Sequence, residues 1–469
     1  MAPAGPATVV IETLGCKLNQ ADSEALAQRV LAAGYHIGQD VAEADAYILN
    51  TCTVTHVADR KARGHLRRAR RLKPNCLLVA TGCYAERAGS ELERQGLADL
   101  VVGRRDRDHL VDLIAAGRAA QQTEPLVGVH ALTLALSQGE RAGGTPPFTL
   151  HPSPPSSPPP STLHPPPSPR RTRSFIKIQE GCRHGCAFCI VPRVRGAPRD
   201  VPLEEVVASV RARASAGVQE VVLTGTELGD YGLGGGPTLP RLLKTLLAET
   251  AIPRLRVSSL QPQELSDELL GLWSREPRLC RHLHLALQSG SPSVLQRMRR
   301  PYPLGDYEDA LRAAREALPG LAVTTDVIVG FPGETGAEFA ETLDFCQRLA
   351  FADIHTFPYS PRSGTAAARL PDTVPAPLKT QRVGELQAVV VTLATRFRRS
   401  FLGQSLSVLW EGPANVSRGG QPLLSGLSDN YLRVFTPWRS ELQNRISTVS
   451  PDREDAGALW VDGPESIAA

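Results

Sequence analysis

No apolar run in the 469 residues approaches the roughly 20 needed to span a bilayer, so no membrane anchor is expected. No basic stretch leads into an apolar one at the start, Met-Ala-Pro-Ala-Gly-Pro, which argues against a cleaved secretory signal. The expected location is therefore the cytoplasm, where reducing thiol pools make structural disulfides rare. Net charge is also scarce: 52 Lys+Arg face 48 Asp+Glu, a balance of +4 that proves no nucleic-acid partner. What is present excludes global disorder, since 42% of residues are hydrophobic and 21% charged. The length suits two or three domains with ordinary cores. Nine cysteines cannot all pair within one chain, and metal ligation is the first explanation to test.

Organisation is legible in the pattern. Over the first 120 residues, short β-rich runs (8–14, 45–50, 76–81, 99–103) alternate with helical stretches, which predicts a doubly wound parallel α/β sheet. One helix contains RKARGHLRRARRLK from Arg60 to Lys73, eight Lys/Arg and no acid. Such a run wraps positive charge around much of a helix and can neutralise several phosphates, although alone it could be a solvated face. Between Pro146 and Pro169, twelve of 24 residues are proline, which reads as an extended linker or insertion. A second βα series follows, with strands near 174–180, 219–224, 254–259, 282–288, 321–329 and 353–358. Helices are expected over 203–216, 237–249, 264–275, 291–299, 306–317, 336–349 and 376–402. Six βα units imply a partial (β/α)6 barrel with chemistry at the carboxyl ends of its strands. Residues 405–469, with turn residues at Asn415, Gly419-Gly420 and Asp429-Asn430, read as a small all-β module.

After the first barrel strand comes Gly181-Cys182-Arg183-His184-Gly185-Cys186-Ala187-Phe188-Cys189, a C-x₃-C-x₂-C pattern on one tight loop. Three thiolates so close can hold one iron–sulfur cluster, which ordinarily takes four, and leave one iron open. Zinc or buried thiols are the plainer alternatives. Structural zinc takes four ligands, and His184 is expected to face the wrong way round the loop for a fourth. A second constellation lies in the first sheet. Cys16 follows the first strand in Thr-Leu-Gly-Cys, Cys52 follows the second in Asn-Thr-Cys-Thr-Val-Thr, and Cys83 follows the third in Thr-Gly-Cys-Tyr. All three fall where open α/β sheets place their sites, so a second three-cysteine cluster is expected. Cys76, read as lying within a strand, and the isolated Cys280 and Cys346 are taken as structural.

The Cys182–Cys189 motif, with Phe188 before its last cysteine, resembles the radical S-adenosylmethionine superfamily. In that superfamily the open iron chelates S-adenosyl-L-methionine, and an electron from the cluster cleaves it to a 5′-deoxyadenosyl radical, chemistry that proteins delegate to cofactors. Together with the Cys16, Cys52 and Cys83 motifs, the chain resembles the methylthiotransferase family over nearly its whole length outside the proline-rich segment. The wording is most similar to the threonylcarbamoyladenosine tRNA methylthiotransferases. Segments 284–291, 326–335 and 357–365 look like family segments around the cofactor. Two departures stand out: Ala286 where a proline is common, and no histidine in Thr224–Gly229.

The resemblance implies four segments: a methylthiotransferase domain at 1–122, a linker at 123–173, a radical barrel at 174–402, and a TRAM-like β module at 403–469. It implies two 4Fe–4S clusters. One, on Cys182, Cys186 and Cys189, would generate the radical; the other, on Cys16, Cys52 and Cys83, would hold the incoming sulfur opposite the barrel mouth. Phe188, Gly225, Ser259, Gln288, Asp326 and Gly330 would surround S-adenosyl-L-methionine. The substrate would be the hypermodified adenosine 3′ to a tRNA anticodon, whose loop bases can be splayed into a pocket. An electron donor of flavodoxin or ferredoxin type and a sulfur source would serve it. The tail, with five Arg and no Lys against eight Asp/Glu over 401–469, is expected to shape the substrate entrance, leaving RNA affinity to the basic helix. Relatives acting on isopentenyladenosine tRNA or a ribosomal-protein aspartate are the alternatives within the enzymes. A non-catalytic metal-binding RNA regulator is the alternative outside them.

Overall fold

The computed structural model describes residues 7–123, 172–418, 420–463 and 467–468. The proline-rich stretch from Pro146 to Pro169 lies outside them. The chain divides into two compact units, one of Met1–Pro165 with Arg193–Arg195 and one of Pro166–Pro192 with Gly196–Ala469.

The first unit is built on five parallel strands: β1 (Thr8–Thr13), β2 (His36–Gly38), β3 (Ala46–Thr51), β4 (Leu77–Gly82) and β5 (Leu100–Val102), in the order β2-β1-β3-β4-β5. Every residue of β3 and β4 is buried, as two-sided helix cover requires. The helices are α1 (Lys17–Ala32), α2 (His56–Leu72), α3 (Cys83–Arg94) and α4 (Leu110–Thr123). Strand β2 is absent from the sequence prediction because its three residues carry no alternation to read. It matters because strand order reverses where β1 and β3 meet. The crevice beyond the carboxyl ends at such a reversal is where open α/β sheets bind ligands.

Helix α2 is one-sided. Asp59, Ala62, Leu66 and Ala69 are buried, a spacing of three and four residues that faces the sheet, while Arg60, Lys61, Arg67, Arg68 and Arg71 are exposed. This corrects the expectation of charge wrapped around the helix. Arg70 is structural: it pairs with Asp99 and donates to the carbonyls of Pro74 (2.9 Å) and Cys76 (3.2 Å). Cys76 itself precedes β4 instead of lying within it, and is fully buried.

In the second unit, six parallel βα repeats run through β6 (Arg173–Lys177), β7 (Gln179–Glu180), β8 (Arg199–Asp200), β9 (Glu220–Thr224), β10 (Arg254–Val257), β11 (Ser259–Leu260), β12 (His282–Leu285), β13 (Ala322–Val329) and β14 (Asp353–Pro358). The short pair β7 and β8 is antiparallel. The others form the sheets β10-β9-β6 and β11-β12-β13-β14, with β10 and β11 broken only at Ser258. Strands β6 and β14 are the outer edges and do not pair with each other. The aliphatic residues Val221, Leu223, Leu255, Val257, Leu283 and Leu285 pack in the core with the surrounding helices. The alternate residues, Glu220, Arg254, Arg256, His282 and His284, are buried on the other face.

The C-terminal strands are β15 (Leu406–Arg418), β16 (Gln421–Ser428), β17 (Arg433–Pro437), β18 (Ile446–Val449), β19 (Arg453–Asp455), β20 (Ala458–Trp460) and β21 (Ile467–Ala468), in the order β19-β20-β17-β16-β15-β18-β21. Asn415 is not a turn residue: it lies inside β15, where the register against β16 shifts between Pro413 and Ser417. This module docks on the amino ends of the barrel strands. Arg254 donates to the Leu427 carbonyl (3.1 Å) and Ser407 hydroxyl (2.7 Å), and Arg256 donates to the carbonyls of Asp429 (3.0 Å) and Ser428 (3.2 Å). Arg281 pairs with Asp429 at 2.7 Å, and the Tyr431 ring stacks on His282 with centroids 4.2 Å apart. The tail therefore closes the end of the barrel opposite the strand termini that carry the cysteine loop, which corrects the expectation that it shapes the entrance there.

At that closed end Glu220 is fully buried between Arg256 and Arg173, each 2.8 Å away. Burial pushes its pKa up, but the two guanidinium charges outweigh this and hold it well below the usual carboxylate range. Removing one partner from such a pair leaves uncompensated charge. Arg256→Met is expected to cost ~3–5 kcal/mol, read as a lower denaturation midpoint of the apo-protein. Adding Glu220→Gln should return part of that loss.

Candidate functional site

In the first unit, register brings three cysteines to one edge. Thr13 pairs with Asn50, Asn50 with Thr81, and Thr51 with Gly82, so Cys16, Cys52 and Cys83 leave β1, β3 and β4 on the same side. Their motif neighbours fix them. Asn19, almost fully buried, donates to the carbonyls of Leu14 (2.7 Å) and Thr51 (3.0 Å). Asn50 donates to the Asn19 carbonyl (2.9 Å) and Ser23 hydroxyl (3.0 Å). Thr53 donates to Asp59 (2.6 Å), and Arg87 donates to both Thr53 and Asp59 at 2.8 Å. Thr55 caps α2 by accepting from the Ala58 amide. At Gly15, with φ +112°, a Cβ would sit 2.7 Å from the Cβ of Cys52. Only glycine lets the Cys16 turn lie this close.

The Cys52 thiol is affected by the charges of Cys16 and Cys83, and Cys83 by that of Cys16. Burial pushes Cys52 up to about 11 and raises Cys83 also. Arg195, which belongs to this unit, pairs with Asp22 at 2.9 Å and donates to Asn19 and Cys83. None of the nine cysteines is in a disulfide. Desolvated thiols of this kind become thiolates when a metal ligates them. The donor set, three thiols without a fourth, fits a cluster that keeps one iron open.

In the second unit, the loop after β7 carries Cys182, Cys186 and Cys189. Gly181 (φ +83°) opens it where a Cβ would come within 2.0 Å of the Ala197 carbonyl. Gln179, fully buried, ties the loop down: its carboxamide oxygen accepts from the amides of Thr226 and Glu227, both 3.0 Å, while its nitrogen donates to the Gly181 carbonyl at 2.9 Å. Burial pushes Cys182 up to about 11 and Cys189 up to about 12, and each is affected by the charge of Cys186. Each sulfur also receives a donor. The His184 amide donates to Cys182 (3.4 Å), the Val191 amide to Cys189, and the Arg300 guanidinium to Cys186 (3.4 Å). His184 does not turn away as its place on the loop suggested. Its imidazole lies 3.7 Å from Glu227, and its nitrogen, a Glu227 oxygen and the Cys182 sulfur lie within 4.8 Å of one another.

The expected cofactor neighbours sit around this loop in different ways. Phe188 packs against the cluster of Ala187, Val294, Met298, Phe331 and Tyr359. Gly225 follows β9 and Gly330 follows β13, Ser259 opens β11, and Gln288, with φ +73°, accepts from the Ile328 amide at 2.9 Å. Asp326 is lower in β13. Its carboxylate lies 3.3 Å from His284 and 3.2 Å from His355. Burial raises its pKa, but those two hydrogen bonds hold it well below the usual range.

Sequence reasoning missed Gln179, Glu227, Gln261, Glu264 and Arg300, which lie in or after short strands and helices with no local pattern. Gln261 donates to Glu227 (2.9 Å), and its amide donates to Glu264 (2.8 Å). Burial first, then the neighbouring charge of Glu227, push Glu264 well above the carboxylate range, so the folded protein keeps it protonated. Because its folded pKa exceeds its unfolded one, the stability it contributes is full in acid and lost as pH rises above about 4.5. Glu264→Gln, which mimics the protonated acid, should reduce the drop in melting temperature between mildly acidic and mildly alkaline buffer.

Comparison with known proteins agrees with this geometry. The Radical SAM superfamily matches residues 176–346, and Uncharacterized protein family UPF0004 matches residues 8–103. Threonylcarbamoyladenosine tRNA methylthiotransferase MtaB of Bacillus subtilis (strain 168) is 37% identical over 94% of this chain and 93% of its own. The protein of the same description from Thermotoga maritima is 34% identical over 91% and 90%. A tRNA-2-methylthio-N(6)-dimethylallyladenosine synthase from Geobacter metallireducens is 34% identical over 92% of both chains. Among solved structures, the radical S-adenosylmethionine methyltransferase TsrM from Kitasatospora setae aligns with a TM-score of 0.52 at 15% identity, covering 85% of this chain and 96% of that one, a likeness of fold alone. With one cysteine triad past the carboxyl ends of parallel strands, another on the loop after β7, and relatives matched nearly end to end, the chain belongs to the radical S-adenosylmethionine methylthiotransferase family.

Proposed function

We propose that this protein replaces the hydrogen on carbon 2 of N6-threonylcarbamoyladenosine, next to a tRNA anticodon, with a methylthio group. The observation that carries the reading is the pair of three-thiol sites, in a chain 37% identical over 94% of its length to an enzyme of that description. Cys182, Cys186 and Cys189 would hold one 4Fe–4S cluster, and Cys16, Cys52 and Cys83 the other. When bound, the clusters and S-adenosyl-L-methionine supply the radical, the incoming sulfur and the methyl group.

The chain's own part is positioning. Gln179 and Gly181 fix the first thiol loop, and Asn19, Asn50 and Thr53 fix the second set. Phe188, Gly225, Ser259, Gln288, Asp326 and Gly330 are the candidates to surround S-adenosyl-L-methionine. The exposed face of α2 would take the tRNA phosphates. A flavodoxin- or ferredoxin-type electron donor and a separate sulfur source are expected partners in the cytoplasm, and no helix among the described residues is long and apolar enough to cross a membrane.

Nucleosides of tRNA from a deletion strain should lack the 2-methylthio form of threonylcarbamoyladenosine. An unaltered peak would exclude this substrate, and loss of the isopentenyl form instead would move the protein to the reaction named for the Geobacter relative. Alanine at Arg67, Arg68 and Arg71 should lower the salt slope of tRNA binding by about 2, at roughly 0.7 for each single-strand phosphate left without its cation. Arg70 is left out because its loss would loosen α2 instead. The closeness of His184 and Glu227 to Cys182 favours one other reading, a zinc-binding regulator. Anaerobically purified protein should carry about eight irons and cleave S-adenosyl-L-methionine when reduced; stoichiometric zinc without cleavage would favour the regulator.

A further inference from the structure

Arg300 follows the short helix Pro292–Met298 and aims its guanidinium back at the cysteine loop. One nitrogen donates to the Cys186 sulfur at 3.4 Å. The rest of the fork is held by the Gln261 carboxamide oxygen, the Ala286 carbonyl (3.2 Å) and the Tyr302 hydroxyl (3.0 and 3.2 Å). Tyr302 is fixed in turn, donating to the carbonyls of Ala286 and Leu287 and lying under the guanidinium at 4.9 Å.

None of these partners is a carboxylate. Arginine stays protonated in proteins, so the one partner here able to carry compensating negative charge is the sulfur of Cys186. The hydrogen bonds to Cys182 and Cys189 differ: their donors are backbone amides of His184 and Val191, although the charge of Arg300 also reaches Cys189. Arg195, beside Cys83, differs again, because its fork is paired with a carboxylate, Asp22 at 2.9 Å, which Arg107 shares at 3.4 Å.

We propose that Arg300 sets the reduction potential of the cluster held by Cys182, Cys186 and Cys189, by placing a positive charge with no carboxylate among its hydrogen-bond partners, and a hydrogen bond, on one ligand sulfur. The inference rests on the cluster reading above. A reduced cluster carries one more negative charge than an oxidised one. A fixed cation and donor at the sulfur stabilise that state more, and so raise the potential. Gln261 and Tyr302 are positioning residues that keep the fork in place.

The test is a redox titration followed by electron paramagnetic resonance, on iron-loaded full-length protein in which Cys16, Cys52 and Cys83 are alanine, so that only one cluster reports. Arg300→Gln should move the midpoint to a more negative potential with iron content retained, and Arg300→Lys should move it less in the same direction. A midpoint unchanged in Arg300→Gln overturns the proposal. If Arg300→Gln does not hold iron, Arg300→Lys decides in the same way. A loss of S-adenosyl-L-methionine affinity with an unchanged midpoint also overturns it, assigning Arg300 to cofactor binding. Failure of the parent triple-alanine protein to bind iron would instead sink the cluster reading itself.

Discussion

Parallel pairing of β1, β3 and β4 is the constraint on which the first site depends. Because these strands run the same way in matched register, residues just past their ends meet at one edge, although Cys16, Cys52 and Cys83 are 36 and 31 residues apart in sequence. The sheet's reversal of order at β1 and β3 opens the crevice there. The polar residues of the three motifs then have definite work: Asn19, Asn50 and Thr55 satisfy backbone groups or helix ends that the turns would leave bare, and Thr53 ties its turn to Asp59 and Arg87. Substituting them would let the thiols drift apart without touching any thiol.

The second unit solves a different problem. A barrel of this kind usually fills its interior with branched aliphatic side chains. Here buried charges occupy the end nearest the C-terminal module, with Glu220 held between Arg173 and Arg256, and Arg254 and Arg256 reaching carbonyls of the Leu427–Asp429 segment. Buried ion pairs contribute little net stability but penalise wrong partners strongly. Their effect is to specify how the tail seats on the barrel.

Most strands and both cysteine triads were legible because they rest on local signals: alternation, turn residues and spacing. The misses share a cause. Strand β2 is too short to show a period. Arg70 could not be told from its neighbours on α2 until Asp99 was seen beside it, since the pairing spans 29 residues. Gln179, Gln261 and Arg300 act through partners far away in sequence, and a single polar residue in a connection has no pattern of its own. The seating of the tail was misjudged for a related reason: net charge over 401–469 says nothing about which carbonyls a barrel arginine will find. Glu227, standing in the Thr224–Gly229 stretch that departs from the family wording, is the one case where a sequence signal pointed near a missed residue.

A barrel stoppered at its amino end by Tyr431 and Asp429 is a vessel without a back door. With that end taken by the tail, the described residues leave the end that carries the cysteine loop and the unpaired flank between β6 and β14, where His355 and Phe357 are exposed, as the approaches to the interior.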